Sequence, residues 1–151
     1  HMQDRIQGYK DALKDSGIRF QSKLLKKVSF QDYKKHVAEA VLQLIDTQQS
    51  VDALVFATNS ISVQALKVIH AKKLMVPDDL GIISFDESDA FEFFYTSITY
   101  IKQNLNEISK KAVQTLLKNI NSVHPKVEKV VVPSTIIVGE SCGKKRKEKV
   151  V

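Results

Sequence analysis

Asp52-Ala53-Leu54-Val55-Phe56-Ala57 is a short apolar run that ends in the polar residues Thr58-Asn59-Ser60. A second such run, Leu80-Gly81-Ile82-Ile83-Ser84-Phe85, ends in Asp86-Glu87-Ser88-Asp89. Neither run alternates apolar with polar residues. Continuous apolar character is what a strand shows when both its faces are covered, as in a parallel sheet. Between the two runs, residues 61–73 place Val63, Leu66, Ile69 and His70 along one helical face, with Ser60 or Ser62 as the expected N-cap. Val76-Pro77-Asp78-Asp79 then turns the chain. Strand, helix and strand in that order make a parallel α/β unit. Ligands of open parallel sheets sit beyond the carboxyl ends of the strands. The two polar endings, Ala57-Thr58-Asn59-Ser60 and Ser84-Phe85-Asp86-Glu87, stand where such a crevice belongs.

The same alternation extends outward. Residues 4–15 carry Ile6, Tyr9, Ala12 and Leu13 at helical spacing, and Gly17 follows as a C-cap. Residues 20–28 are apolar but broken by lysines, and read as a strand. Residues 31–48 form a helix with Val37, Ala40, Val41, Leu44 and Ile45 in one stripe. Downstream, residues 97–101 alternate as a strand does, and residues 104–120 form a helix with Leu105, Ile108, Ala112, Leu116 and Ile120 on one side. Residues 127–132 and 135–138 read as two short strands divided by Pro133. No internal repeat is seen.

Composition narrows the function classes. The chain has 151 residues, enough for one domain with a real core. The lone Cys142 forms no internal disulfide and fits a reducing compartment. No apolar stretch approaches the roughly 18 residues of a membrane span, so a cytoplasmic protein without membrane contact is expected. His1 and Met2 read as a cloning remnant, which implies a chain that begins mid-protein. The net charge of +6 is concentrated in Lys144, Lys145, Arg146, Lys147 and Lys149. Without this basic tail (144–151) the balance is close to neutral, so the body lacks the charge excess of a nucleic-acid-binding domain. The tail suits phosphate contact and equally a solvated terminus.

Catalytic patterns are absent from the sequence. There is no Gly-x-Ser-x-Gly elbow and no glycine-rich phosphate loop after a strand. The four histidines, at 1, 36, 70 and 124, lack metal-ligand spacing. No enzyme, cofactor or metal site is expected.

Four motifs carry a family resemblance. They are Asp4-Arg5-Ile6-Gln7-Gly8-Tyr9-Lys10-Asp11-Ala12-Leu13, then Val55-Phe56-Ala57-Thr58-Asn59-Ser60, then Val76-Pro77-Asp78-Asp79-Leu80-Gly81-Ile82-Ile83-Ser84-Phe85-Asp86-Glu87, and finally Ser97-Ile98-Thr99-Tyr100-Ile101 with Pro133-Ser134-Thr135-Ile136-Ile137-Val138-Gly139-Glu140-Ser141. In this order they resemble the LacI/GalR family of transcriptional regulators, over nearly the whole chain. Three positions depart from the family pattern: Asn59-Ser60 stands for Asn-Asp, Asp86-Glu87 for Asp-Asp, and Tyr95-Thr96-Ser97-Ile98-Thr99 for a proline pair before Leu-Thr-Thr.

The resemblance implies an α/β fold with a parallel sheet, like that of periplasmic binding proteins. Residues 3–143 would be a C-terminal part of the effector-binding domain. Within it, 3–100 and 133–143 would form the second lobe, and 101–132 a crossover and a first-lobe segment. It implies a small sugar or nucleoside effector, operator DNA contacted only through a separate N-terminal domain, and a homodimer or swapped oligomer. A periplasmic-type sugar-binding protein of a transport system is the alternative. Arg5 matches the family arginine that grips effector hydroxyls; read alone, it is an exposed helix-start arginine. Asp86 suits two hydroxyl donors, and Asn59 suits a hydroxyl or a helix cap. Phe30 suits stacking on a ring or plain core packing. Phe91, Phe93, Phe94 and Tyr95 suit core, pocket wall or interface.

Overall fold

In the computed structural model, which describes residues 2–46, 51–120, 122 and 124–143, the first helix, α1, spans Met2–Asp15. Gly17 ends it in the left-handed region at φ 68°, where a side chain is strained. The amide of Ile18 closes the cap on the Leu13 carbonyl at 2.8 Å. Helix α2, Tyr33–Ile45, buries Val37 and Val41 from its apolar stripe. Strand β1, Ala53–Phe56, leads to helix α3, Asn59–Ala71, and then to strand β2, Gly81–Phe85. A 3₁₀ segment, Asp89–Phe93, leads to strand β3, Thr99–Lys102. Helix α4, Leu105–Ile120, and strand β4, Thr135–Ile137, follow.

The sheet runs β1-β2-β3-β4. β1 pairs parallel to β2 with Ala53 opposite Gly81, and β2 pairs parallel to β3 with Ile83 opposite Thr99. β4 returns antiparallel, with Ile136 opposite Ile101. α2 and α3 pack side by side. Val37, Val41, Ala65, Leu66 and Ile69 from these helices share one core with Leu54, Phe56 and Ile82 from the strands. Burying each of these side chains other than the small Ala65 contributes about 1.5–3 kcal/mol. The register therefore follows from the core. A slip of one residue would turn Leu54 and Phe56 outward and bring Val55, now 61% exposed, inside.

Polar groups complete the interior. Ser62 and Ser84, both fully buried, share a hydrogen bond of 2.9 Å between α3 and β2. Ser141 is fully buried and ties β2 to the start of β3. Its hydroxyl donates to the Ile82 carbonyl at 2.6 Å and accepts from the Thr99 amide at 2.8 Å.

Four expectations need correction. β1 is not covered on both faces: Leu54 and Phe56 turn to the core shared with α2 and α3, which leaves Val55 61% exposed on the other face. Residues 20–28 are not a strand: Ser22–Leu24 form a 3₁₀ turn, and the flanking Gln21 and Leu25 are extended without joining the sheet. Extended backbone becomes strand only when a neighbouring strand accepts its hydrogen bonds. Residues 127–132 are not a strand for the same reason; only 135–137 pair, against β3. The cap of α3 is Thr58, not Ser60 or Ser62. Its side chain accepts from the Ile61 amide at 3.3 Å, while Ser62 turns inward to Ser84. The basic tail, His1, and the end of the expected 31–48 helix at 47–48 lie outside the described residues.

Candidate functional site

The carboxyl ends of β1, β2 and β3 meet with the start of α1. Thr58 caps α3 directly after β1, which places Asn59 in the first turn of the helix, at the mouth of the sheet. Asp86 follows β2 in the left-handed region at φ 70°, a conformation Asp tolerates better than most residues. Its amide donates to the Ile101 carbonyl at 3.0 Å, so β3 holds the strained turn in place. Gln103 follows the end of β3.

Arg5 reaches these ends from the first turns of α1. Its guanidinium donates to the Ala57 carbonyl, lies 3.6 Å from the Phe85 ring centroid, and stands 3.7 Å from the Asp86 carboxylate. The side chain is 15% exposed, so the reading of Arg5 as a solvated helix-start residue does not hold. Stacking and ion pairing fix the guanidinium plane while leaving part of its donor fork unused. Gln103 donates to the other Asp86 oxygen. The Asp86 side chain keeps 27% exposure, so acceptor capacity remains. Asp86 thus joins Arg5, by an ion pair, to Gln103, by a hydrogen bond, in one polar group.

Asn59 extends the group sideways. Its amide donates to the Glu87 carbonyl at 2.9 Å, and its side-chain oxygen accepts from Ser60 at 3.3 Å. Beside it lies an open cavity of about 350 Å³ lined by Tyr33, Asn59, Ser60, Val63, Gln64 and Ser88. The Tyr33 phenol donates to the Ser60 carbonyl, and burial of that phenol raises its pKa. The Glu87 carboxylate accepts from Lys102 at 2.9 Å and from Tyr100 at 3.1 Å. Lys102, then Tyr100, hold it below the usual glutamate range, and Glu87 in turn raises Lys102. Glu87 is thereby committed to tying β2 to β3.

Of the four residues singled out from sequence, the structure places Asn59 and Asp86 just beyond neighbouring strand ends, with Arg5 beside Asp86; of the three, Asn59 lines the cavity. Phe30 is 98% exposed, which removes the core-packing reading. It stands three residues before Tyr33, in the loop leading to α2. The aromatic cluster divides: Phe91 is buried and Phe94 packs on the core, while Phe93 and Tyr95 are exposed. Gln103, Tyr33 and Gln64 were not singled out from the sequence. The strand-end rule that marked Asn59 and Asp86 also marks Gln103, at the end of the third parallel strand. Tyr33 and Gln64 carry no comparable local signal. Among the described residues no group of three or more His, Cys, Asp or Glu side chains is placed to hold a metal, and no helix is long and apolar enough to cross a membrane.

The chain matches the family described as periplasmic binding protein-like domain over residues 1–142. It is 28% identical over 140 residues to the HTH-type transcriptional regulator CelR of Thermobifida fusca, covering 91% of this chain and 40% of that protein. It is 30% identical over 140 residues to the ribose operon repressor of Haemophilus influenzae, covering 92% and 41%. Among solved structures it superposes on a transcriptional regulator CelR–cellobiose complex with a TM-score of 0.80 at 25% identity, covering 91% of this chain and 42% of that one. The chain thus spans less than half the length of each of these relatives.

Proposed function

The chain belongs to the periplasmic-binding-protein-like family, in its LacI-type regulator branch, and from that premise we propose that it is the effector-binding part of a bacterial transcriptional repressor. The observation that carries this reading is the convergence of Arg5, Asn59, Asp86 and Gln103 at three strand ends, beside an open cavity. Guanidinium, carboxylate and two amides provide both donors and acceptors, which is what a polyhydroxylated ring requires. Phe30, 98% exposed in the loop before α2, is the aromatic assigned to stacking on the ligand ring. The effector is a small sugar or nucleoside. No catalysis is assigned, because the named relatives are regulators rather than enzymes or transport proteins.

In the lobe assignment that goes with this reading, residues 3–100 and 133–143 form one lobe. Residues 101–132 form the crossover and a segment of the other. The repressor works in the cytoplasm, and operator DNA is contacted through an N-terminal domain. The effector shifts operator affinity by binding two lobe arrangements unequally. Calorimetric titration of the intact repressor with sugars and nucleosides tests this. The expected result is one binder that changes operator affinity; a broad panel with neither effect overturns it.

Self-association is part of the proposal. No residue of α4 is buried, and Leu105, Leu116 and Ile120 are 64%, 59% and 68% exposed. Contiguous apolar surface of this kind is rarely left in water. A homodimer or a swapped oligomer is expected by light scattering, and a monomeric mass at high concentration excludes it.

A further inference from the structure

We infer that the flank of α2 facing residues 26–29 carries a second binding site, separate from the strand-end residues, for the phosphoryl group of a small anion. A cavity of about 230 Å³ opens there, with Lys26, Lys27 and Ser29 on the loop side and α2 on the other. It shares no lining residue with the cavity beside Asn59. On α2, His36, Ala40 and Gln43 follow the i, i+4, i+7 spacing of one helical face. The Ala40 methyl stands between two longer side chains, which leaves the hollow. Its size is below the roughly 300 Å³ at which pockets for drug-sized ligands begin, so it suits a small ion or one group of a larger molecule.

The lining is dominated by donors. Lys26 donates to the Gln43 side-chain oxygen at 3.1 Å, which joins the loop to the helix and leaves the Gln43 NH₂ without a partner among the described residues. Ser29 Oγ accepts from the Gln31 amide at 3.2 Å, so its hydroxyl proton remains to be given. Lys27 has no ion-pair or hydrogen-bond partner among the described residues. His36 Nδ1 is, among the described residues, the only buried side-chain nitrogen or oxygen left without a hydrogen bond. Buried polar atoms are almost always paired, so this one marks a missing partner. The single acidic group of the lining, Glu39, has Lys35 at 4.0 Å. Two ammonium groups match the charge of about −1.5 to −2 on a phosphate monoester at neutral pH, and its acceptor oxygens match the donors. A carboxylate brings one charge and two oxygens, and leaves donors unanswered. A neutral sugar leaves both ammonium charges uncompensated.

The test is a ¹⁵N-resolved NMR titration of the 151-residue chain at constant ionic strength, which reads weak binding and its location together. The probes are inorganic phosphate, glycerol 3-phosphate, acetate and chloride. Phosphate or its ester is expected to move the Lys27, Ser29 and His36 signals together and to saturate at about 1–10 mM. Saturation by phosphate alone assigns the site to the free ion, and saturation by the ester assigns it to a phosphorylated small molecule; both support the site. Lys27→Gln should weaken binding by about tenfold, the loss of one charge-assisted hydrogen bond. Ala40→Leu, which fills the hollow and changes no charge, should abolish saturation. Lys34→Gln removes the same charge from α2 outside the cavity and should change affinity by less than about twofold, because exposed charges are screened. Lys27 is exposed, so its variant keeps the fold and decides the question even where Ala40→Leu melts early. An equal response to acetate or chloride overturns the inference, as does an equal loss in Lys27→Gln and Lys34→Gln. The absence of a saturable response to both phosphate compounds overturns it too.

Discussion

Asp86→Asn is expected to bind the effector about 10- to 100-fold more weakly than the native chain while folding as well as it does. The carboxylate has Arg5 at 3.7 Å and accepts from Gln103, and its side chain is still 27% exposed. Hydrogen bonds to a charged acceptor contribute about 1.5–3 kcal/mol each, and the substitution removes the charge while keeping the shape. Asparagine also tolerates the left-handed backbone at φ 70°, so the turn after β2 survives. Alanine separates the two effects. Asp86→Ala loses the ligand contact and also places a Cβ-bearing residue without a polar side chain in the left-handed region, at about 1–2 kcal/mol. Titration calorimetry and thermal melting of both variants check this. Native affinity in Asp86→Asn would show that the carboxylate is not the effector's acceptor.

Gly139→Ala is expected to destabilise the fold by about 2–3 kcal/mol, lowering the melting temperature by roughly 5–10 °C. A Cβ at this position would stand 2.5 Å from the Ser97 carbonyl oxygen and 2.9 Å from the Ile98 carbonyl carbon. Both are backbone atoms, so no side-chain rotation relieves the overlap. The crowding is there because the chain after β4 folds back against the start of β3. The amides of Glu140 and Ser141 both donate to the Ser97 carbonyl, at 2.9 and 3.0 Å, and the Gly139 amide donates to Thr99 Oγ1 at 3.0 Å. Moving this segment away would break those bonds and disturb the buried Ser141 tie between β2 and β3. Gly8→Ala is the control. Nothing lies within 4 Å of its Cβ position on α1, and removing a helix-interior glycine contributes about 0.5–1 kcal/mol of stability. Circular dichroism melts should move in opposite directions for the two variants. A Gly139→Ala melt at the native temperature would contradict the close approach.

Much of the site was readable from the chain because it lies at strand ends. Apolar runs mark the strands whether one face is covered, as in β1, or both, so the first polar residues after them can be counted off, which is how Asn59 and Asp86 stand out. Gln103 follows the same rule but was missed, because β3 carries Lys102 and alternates, and its end is less sharp. Tyr33 and Gln64 were beyond the rule. Their place in the cavity depends on α2 lying against α3, and nothing local specifies that contact. Arg5 was ambiguous for a similar reason. Only the packing of α1 near Ala57 and Phe85 turns an ordinary helix arginine into a partner for Asp86.

The amino-acid sequence by itself determined the α/β class, the order of most helices and strands, and two of the strand ends at which ligand contacts gather. Periodicity and apolar runs are local properties, set by which side chains prefer to leave water. The tertiary structure alone decided which extended segments became strands. Residues 20–28 and 127–132 have strand-like composition yet stay outside the sheet, because a strand needs a neighbour to share its backbone hydrogen bonds. It also decided that Thr58 caps α3 while Ser62 turns inward to Ser84, and that Arg5, Asp86 and Gln103 share one set of contacts. Those pairings join residues far apart in the chain, and they exist only once the sheet register has brought three strand ends together.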